Sequence, residues 1–218
     1  MSSYVILGGN GPFGVHLAIH LLEQPEVERV ICIGRNPEKA EPFTLGVGRG
    51  DERYLYEQIH LTFEQDRLFE LLDRERPKVV VNFAALAHGA SWVKSHLFYE
   101  TNVTALAKMV EGLAGRDWFE KFVQVGSSEI YGAVDGPVTE EAPLTPTSPY
   151  SISKMAGDLH LVSMHEVRGF PMNIIRPSNA YGPGQQLYRI LPRAVLAAAN
   201  GERVPLEGGG QARKSYIH

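Results

Sequence analysis

The chain has 218 residues, room for one sizeable domain or for one domain and part of a second. Its 44% hydrophobic and 21% charged residues argue against a disordered polymer, and a net charge of −4 without a Lys/Arg block argues against nucleic acid or an anionic membrane as partner. A single cysteine, Cys32, excludes an internal disulfide, and no stretch reaches the ~18 apolar residues of a membrane span, so a cytoplasmic location is expected.

The first predicted element is a buried strand, YVIL (4–7), which runs through GGNGPFG into a helix over 12–23. RVICI (29–33) reads as the second strand and YEQIHL (56–61) as a weaker third, before a helix over 65–76. KVVVNFAA (78–85) and KFVQVG (121–126) are further strands, separated by a helix over 92–114. A loop rich in Pro, Thr and acidic residues (132–149) precedes a helix over 150–168 and the strand MNIIRP (172–177). From Asn179 the pattern becomes irregular, with one more helix near 188–200. The strand segments are almost continuously apolar and β-branched, as strands covered on both faces are, and they alternate with helical stretches. That alternation predicts βαβ units and an α/β fold with a doubly wound parallel sheet.

Glycine in an element interior costs stability, so the crowd of glycines after YVIL needs a reason. Gly8, Gly11 and Gly14 form G-x-x-G-x-x-G between strand and helix, with Pro12 and Phe13 leading into the helix. The first glycine permits a tight turn, the second lets backbone amides approach a pyrophosphate, and the third permits close helix packing. The free N–H groups of the helix N-terminus then face the anion. This predicts a Rossmann-type dinucleotide-binding domain over residues 1–178, with 179–218 as a partial substrate-binding region. The second strand ends CIGRNP, where Gly34, Arg35 and Asn36 stand and no acid is available for ribose hydroxyls. Arg35 suits a 2′-phosphate, which favours NADP, with NAD the alternative.

Tyr150 and Lys154 in YSISK are four apart and share a helix face. A tyrosine with a pKa of ~10 is a poor base at neutral pH; a nearby ammonium and a cationic nicotinamide would lower it. Three units of lowering correspond to ~4 kcal/mol, within reach of two close positive charges in a dry site. Ser127, Ser128 and Glu129 follow the fifth strand, at the end of a parallel sheet where ligands bind. His16 and His20 share a helix face, but no third ligand accompanies them, so no metal is expected.

The motifs GGNGPFG, NFAA, TNVTAL, VGSSEIYG, SPYSISK, RPSNAYGPG and RKSYIH occur in the order found in extended short-chain dehydrogenase/reductases, and the whole chain resembles that family. Its members are nucleotide-sugar epimerases, dehydratases and decarboxylases. The resemblance implies a catalytic set of Ser127, Tyr150 and Lys154, with Tyr150 taking a proton from a sugar 4-hydroxyl and Lys154 also holding the nicotinamide ribose. It implies that Ala84 and Ala85 line the cofactor cleft, that Asn102 supports the active-site helix, and that Asn179 and Arg213 contact the diphosphate of a nucleotide sugar. It also implies a homodimer through helices 92–114 and 150–168, whose stripes include Leu106, Met109, Val110, Leu159 and Val162, with ordinary intramolecular core packing an equal contender for several of these positions.

Glu129 favours a 4,6-dehydratase within this family, since a carboxylate can remove the C5 proton once C4 is a ketone. GSSE is similar to the GDP-mannose 4,6-dehydratase version of the motif. Glucose-type dehydratases carry an Asp acid where this chain has Ser128. A 4-epimerase and a UDP-glucuronate decarboxylase are alternatives on the same scaffold, the latter requiring an arginine such as Arg176, Arg189 or Arg193. A non-catalytic NADP-binding module is a third reading. Family members usually exceed 300 residues and the sequence stops at His218 within the last motif, so an incomplete substrate lobe is expected. QIHLTFEQD also lacks the usual Asp–hydrophobic pair for adenine, with Asp66 lying further along.

Overall fold

The six apolar runs become six parallel strands. The computed structural model describes residues 2–87, 92–211 and 213–218. Its elements run β1 (Ser2–Leu7), α1 (Pro12–Leu22), β2 (Val27–Gly34), β3 (Tyr54–Gln58), α2 (Gln65–Glu75), β4 (Val79–Asn82), α3 (Ser95–Tyr99), α4 (Ala105–Leu113), β5 (Lys121–Val125), α5 (Pro149–Arg168), β6 (Met172–Ile175), β7 (Asn179–Ala180), α6 (Ile190–Asn200) and β8 (Tyr216–Ile217). The sheet order is β3-β2-β1-β4-β5-β6, every pair parallel, and β7 pairs with β8 separately. This is the doubly wound Rossmann-type arrangement, with its change of direction between β1 and β4.

Period-two alternation divides the core. Val5 and Leu7 of β1, with Ile31 and Ile33 of β2, face α2, α4 and α5. Ile6, Val30 and Cys32 face α1, where Val15, Ala18 and Leu21 meet them. Val5 sits between Ile31 and Val80 at the centre of the sheet.

Three departures from the expected element boundaries bear on the site. The third strand is Tyr54–Gln58 rather than 56–61, and β4 ends at Asn82, so Ala84 and Ala85 belong to the loop beyond it. The expected helix over 92–114 is broken: α3 leads into one π-helical turn, Glu100–Thr104, before α4. That turn carries Asn102, whose side chain is tied to two neighbouring segments as described below.

The expected dimer stripe is corrected for three residues. Leu106, Met109 and Val110 are 4%, 2% and 0% exposed in the chain's own core, beneath the sheet. Their apolar surface is already spent on intramolecular packing. Leu159 remains half exposed, and Val162 is partly buried.

Candidate active site and dinucleotide cleft

The glycine turn is built from close backbone approaches. Gly8 has φ +80°, and a Cβ there would lie 2.8 Å from the Ala84 nitrogen, so β1 and the loop after β4 meet only because the side chain is absent. A Cβ on Gly14 would lie 2.6 Å from the Gly8 oxygen and 2.7 Å from the Gly9 Cα. The close packing expected of Gly14 is therefore against the turn itself. Gly9 has its own reason: a Cβ there would strike the Cys32 side chain at 2.5 Å.

Gly11 is the N-cap of α1 and provides no side-chain cap, Pro12 has no N–H, and the Val15 amide donates to Gly11. The helix mouth, bounded by Pro12 and by the exposed Phe13, is thus left to an outside acceptor. This cradle, whose tight turn exists only because Gly8 and Gly14 carry no side chain, fits a dinucleotide pyrophosphate. Asn10 ties it to the loop beyond β2: its Nδ2 donates to the Pro37 carbonyl at 2.8 Å, and its Oδ1 accepts from Lys39 N–H at 3.0 Å. Arg35 and Asn36 are exposed at the end of β2, and the Arg35 guanidinium has no hydrogen bond or ion pair among the described residues. The Asn36 carbonyl accepts from the Tyr56 hydroxyl.

The second cluster is organised by the start of α5. Ser148 and Ser151 form a reciprocal capping box, at 3.1 and 3.0 Å, with Pro149 in the first turn. This fixes Tyr150 in the first turn and Lys154 one turn later. Ser127 is the N-cap of the 3₁₀ turn Ser128–Tyr131, its hydroxyl accepting from the Glu129 N–H at 3.2 Å. Ser127 also hydrogen-bonds the Tyr150 phenol, and the Glu129 carboxylate, itself exposed, lies near enough for its charge to act on that phenol. Ser128 is half buried beside them. Phe98 meets the Tyr150 ring edge-on, with centroids 6.3 Å apart.

The expected depression of the Tyr150 pKa does not arise from these protein groups. Burial pushes it above its ordinary value, the Ser127 hydrogen bond pulls it down, and Glu129 adds to the rise. Lys154 spends its ammonium elsewhere: Nζ donates to the Val125 carbonyl at 2.8 Å, at the end of β5. Lys154 is 3% exposed, and burial lowers its pKa from 10.5 to about 8 despite the opposing charge of Asp158.

Three buried polar networks surround this lysine, and one of them is built on Asn102, the residue expected to support the active-site helix. Asn82 Nδ2 donates to Gln124 Oε1 at 2.8 Å, and Asn82 Oδ1 accepts from the Ala84 N–H, which shapes the loop leading through Ala84 and Ala85. Asn102, 4% exposed, accepts from the Leu86 N–H at 2.8 Å and donates to the Leu86 carbonyl and to the Ser153 hydroxyl. Its amide braces the cleft loop against α5. On the other side, Asp158 pairs with Arg176 at 2.8 Å, and Arg176 Nη1 donates to the Tyr131 hydroxyl at 2.9 Å. Arg176 thereby joins α5, the end of β6 and the turn carrying Glu129, which commits one of the arginines considered for holding a sugar carboxylate.

Asn179 Nδ2 donates to the Ser215 carbonyl at 3.1 Å, so its side chain fastens β7 to β8, and Arg213 lies exposed just before that pairing. Arg213 has no hydrogen bond or ion pair among the described residues. His16 on α1 is hydrogen-bonded to the Pro183 carbonyl at 3.0 Å, and His20 lies 4.0 Å from Glu23. No helix among the described residues is long and apolar enough to cross a membrane.

The sequence profile of the NAD dependent epimerase/dehydratase family matches residues 4–218. The chain is 34% identical over 179 residues to a dTDP-glucose 4,6-dehydratase of Streptomyces griseus, covering 81% of this chain and 53% of that protein. It is 35% identical over 220 residues to a low-salt glycan biosynthesis protein of Haloferax volcanii, covering 98% and 68%. Among solved structures, dTDP-glucose 4,6-dehydratase from Bacillus anthracis in complex with NAD superposes with a TM-score of 0.88 at 27% identity, covering all of this chain and 68% of that one. UDP-glucuronic acid 4-epimerase from Bacillus cereus, in complex with UDP-glucuronic acid and NAD, shares the fold with a TM-score of 0.85 at 22% identity, covering 98% and 68%. The chain thus spans between about half and two thirds of the length of these relatives. With this match over residues 4–218, the chain belongs to the NAD dependent epimerase/dehydratase family.

Proposed function

We propose that this protein is a nucleotide-sugar 4,6-dehydratase, and the observation that carries the reading is the Glu129 carboxylate on the 3₁₀ turn beside Tyr150. Gly8, Gly11, Pro12, Phe13 and Gly14 would hold the pyrophosphate, Ala84 and Ala85 would line the cleft, and Lys154 would hold the nicotinamide ribose. When bound, the nicotinamide supplies a hydride acceptor that is restored within the cycle, so the net reaction is loss of water.

The chain's own groups divide the proton transfers. Tyr150 takes the proton of the sugar 4-hydroxyl while Ser127 hydrogen-bonds the reacting oxygen. A C4 ketone acidifies the C5 proton, which Glu129 removes as a base. The C6 hydroxyl departs as water, protonated by Glu129 itself or by way of Ser128; when C6 of the resulting 4-keto-5,6-ene is reduced, C5 takes up a proton again, which balances the one that left the 4-hydroxyl to Tyr150. Burial holds Tyr150 in its neutral form in the protein alone, so a positive charge on the bound nicotinamide is needed to favour the phenolate. Asn179 and Arg213 serve the diphosphate, the Arg213 guanidinium offering a bidentate clamp. Arg176 is engaged by Asp158 and Tyr131, which leaves Arg189, whose charge acts on Tyr150, and Arg193 as the arginines a decarboxylase would need.

Arg35 supports NADP through a 2′-phosphate, whereas the two solved relatives described above carry NAD. Parallel titrations with NAD and NADP decide this; tighter NADP binding that Arg35→Ala abolishes is the expected result. A homodimer is proposed through α5, where Ile152 and Leu159 are exposed, and sedimentation measures it.

The activity is tested by incubating the protein with its dinucleotide and dTDP-glucose, GDP-mannose or UDP-glucose. The expected product is a 4-keto-6-deoxy sugar, without net cofactor reduction. Glu129→Gln should abolish it while leaving dinucleotide affinity intact, and an undiminished rate in that variant overturns the assignment. Carbon dioxide from UDP-glucuronate, or inversion at C4 alone, would instead select decarboxylation or epimerisation.

A further inference from the structure

Asp158 is the only wholly buried carboxylate among the described residues. It lies one helical turn beyond Lys154 on α5. Its Oδ2 accepts from Arg176 Nε at 2.8 Å, and its Oδ1 has no hydrogen-bond partner. The strand end is shaped around it: a Cβ at Gly126 would stand 3.0 Å from Asp158 Oδ2 and 3.1 Å from Arg176 Cγ. Gly126 follows Val125, the residue whose carbonyl receives Lys154 Nζ. Two cations and one anion therefore converge at the end of β5.

We propose that Asp158 is a positioning residue of this site: its buried carboxylate, one turn of α5 beyond Lys154 and clamped by Arg176, is the counter-charge that keeps the Lys154 ammonium protonated at the end of β5. The importance of that charge rests on the reading of Lys154 as the group that holds the nicotinamide ribose. A lysine this deep without a counter-charge titrates near ~5–6 and is neutral at pH 7. Burial lowers Lys154 to about 8 and the charge of Asp158 opposes that fall; burial pushes the Asp158 carboxyl up in turn, and the hydrogen bond from Arg176 and the Lys154 charge pull it back.

Among the described residues the surroundings offer no substitute anion for this lysine. From α5 itself the titratable neighbours are Tyr150 and Asp158. The π-helical turn and α4 present Asn102 and Leu106 to this stretch of α5, and α3 presents Phe98 to Tyr150. The end of β6 contributes Arg176, a cation, and the 3₁₀ turn contributes Tyr131, whose hydroxyl is taken up by Arg176. Glu129 acts on Tyr150.

Shape and charge make opposite demands at this position. Asparagine keeps the shape of Asp158 and loses its charge, whereas glutamate keeps the charge and alters the shape. The test uses the full chain labelled with carbon-13 at the lysine ε position, with the Lys154 signal identified by its loss in Lys154→Arg. In the unaltered chain the signal should titrate near 8. Asp158→Asn should lower that midpoint by about one unit or more, a tenfold loss of proton affinity, while Asp158→Glu should stay within about half a unit. NAD affinity measured against pH should weaken with the same midpoints. An unmoved midpoint in Asp158→Asn, or a larger fall in Asp158→Glu than in Asp158→Asn, overturns the proposal.

Should Asp158→Asn fail to fold, the unaltered chain and Asp158→Glu decide. A Lys154 midpoint below ~6.5 in the unaltered chain overturns the proposal, and a midpoint near 8 retained in Asp158→Glu supports it. If neither NAD nor NADP binds at any pH, the proposed function fails, while the lysine titration still decides the role of Asp158.

Discussion

Residues 2–175 and residues 179–218 are built differently. In the first region Val5, Ile6, Val30, Ile31, Val80 and Phe122 are completely buried, and every sheet strand finds its partners there. In the second, β7 and β8 are two residues each, and α6 buries only Ala197 while Val195 and Leu196 stay exposed. The first region generates stability from its own apolar area, at about 25 cal/mol per Å² removed from water, and can tolerate glycines and buried charges at its rim. The second is held to the first by a few polar ties, such as His16 to Pro183. The difference places the proposed catalytic groups on the part with its own core, whereas the segment proposed to meet substrate buries little apolar surface.

The largest test of this contrast is Gly14→Val. Its Cβ would meet backbone atoms at 2.6 and 2.7 Å, which cannot move aside as a side chain can. We expect a fall in Tm of several degrees and at least a tenfold loss of NAD affinity, by thermal unfolding and fluorescence titration; unchanged values would break the account of the cradle.

A smaller effect comes from Lys154. Its pKa falls from 10.5 to about 8 on folding, so between those values the unfolded chain binds a proton that the folded chain has lost. Stability relative to Lys154→Met should therefore rise with pH across that window, by roughly 3 kcal/mol if the whole shift is expressed. The raised pKa of Tyr150 acts in the opposite sense, and only above 10. Urea unfolding of both proteins from pH 7 to 10.5 measures the difference, and a parallel pair of profiles would contradict it.

Next is Ser148→Ala, which removes one arm of the capping box on α5 and should cost about 1 kcal/mol in urea unfolding. The smallest effect sharpens the other side of the comparison. Replacing exposed Val195 and Leu196 together by serine should change unfolding stability by less than about 0.5 kcal/mol. A loss of 2 kcal/mol would show that the last forty residues carry stability after all.

The sheet and the glycine turn were legible because both rest on local pattern. Continuous β-branched runs identify strands covered on both faces, and Gly8 and Gly14 stand where backbone must approach backbone. The Ser127–Tyr150–Lys154 cluster was legible from the position of each residue relative to a strand end or helix start. The sense of the Tyr150 shift was not, because it depends on burial and on where Lys154 Nζ points, and spacing gives neither. Asp158, Arg176 and Tyr131 were likewise hidden: they lie on three segments, and only the i,i+4 spacing of Lys154 and Asp158 and the small residue at Gly126 hint at buried charges. The break at Glu100–Thr104 escaped notice because helical periodicity tolerates one inserted residue. Gly9 was recognised as odd, but its explanation required seeing Cys32 beneath it.

The central position of β1 has a consequence for how the chain is made. Val5 must pair with Ile31 on one side and Val80 on the other, and no hairpin joins any two strands of this sheet. During synthesis β1 emerges before both of its neighbours, and its second edge stays open until residues 79–82 have left the ribosome. That interval, several seconds at ~5–20 residues per second, is when a nascent chain of this design most needs a chaperone.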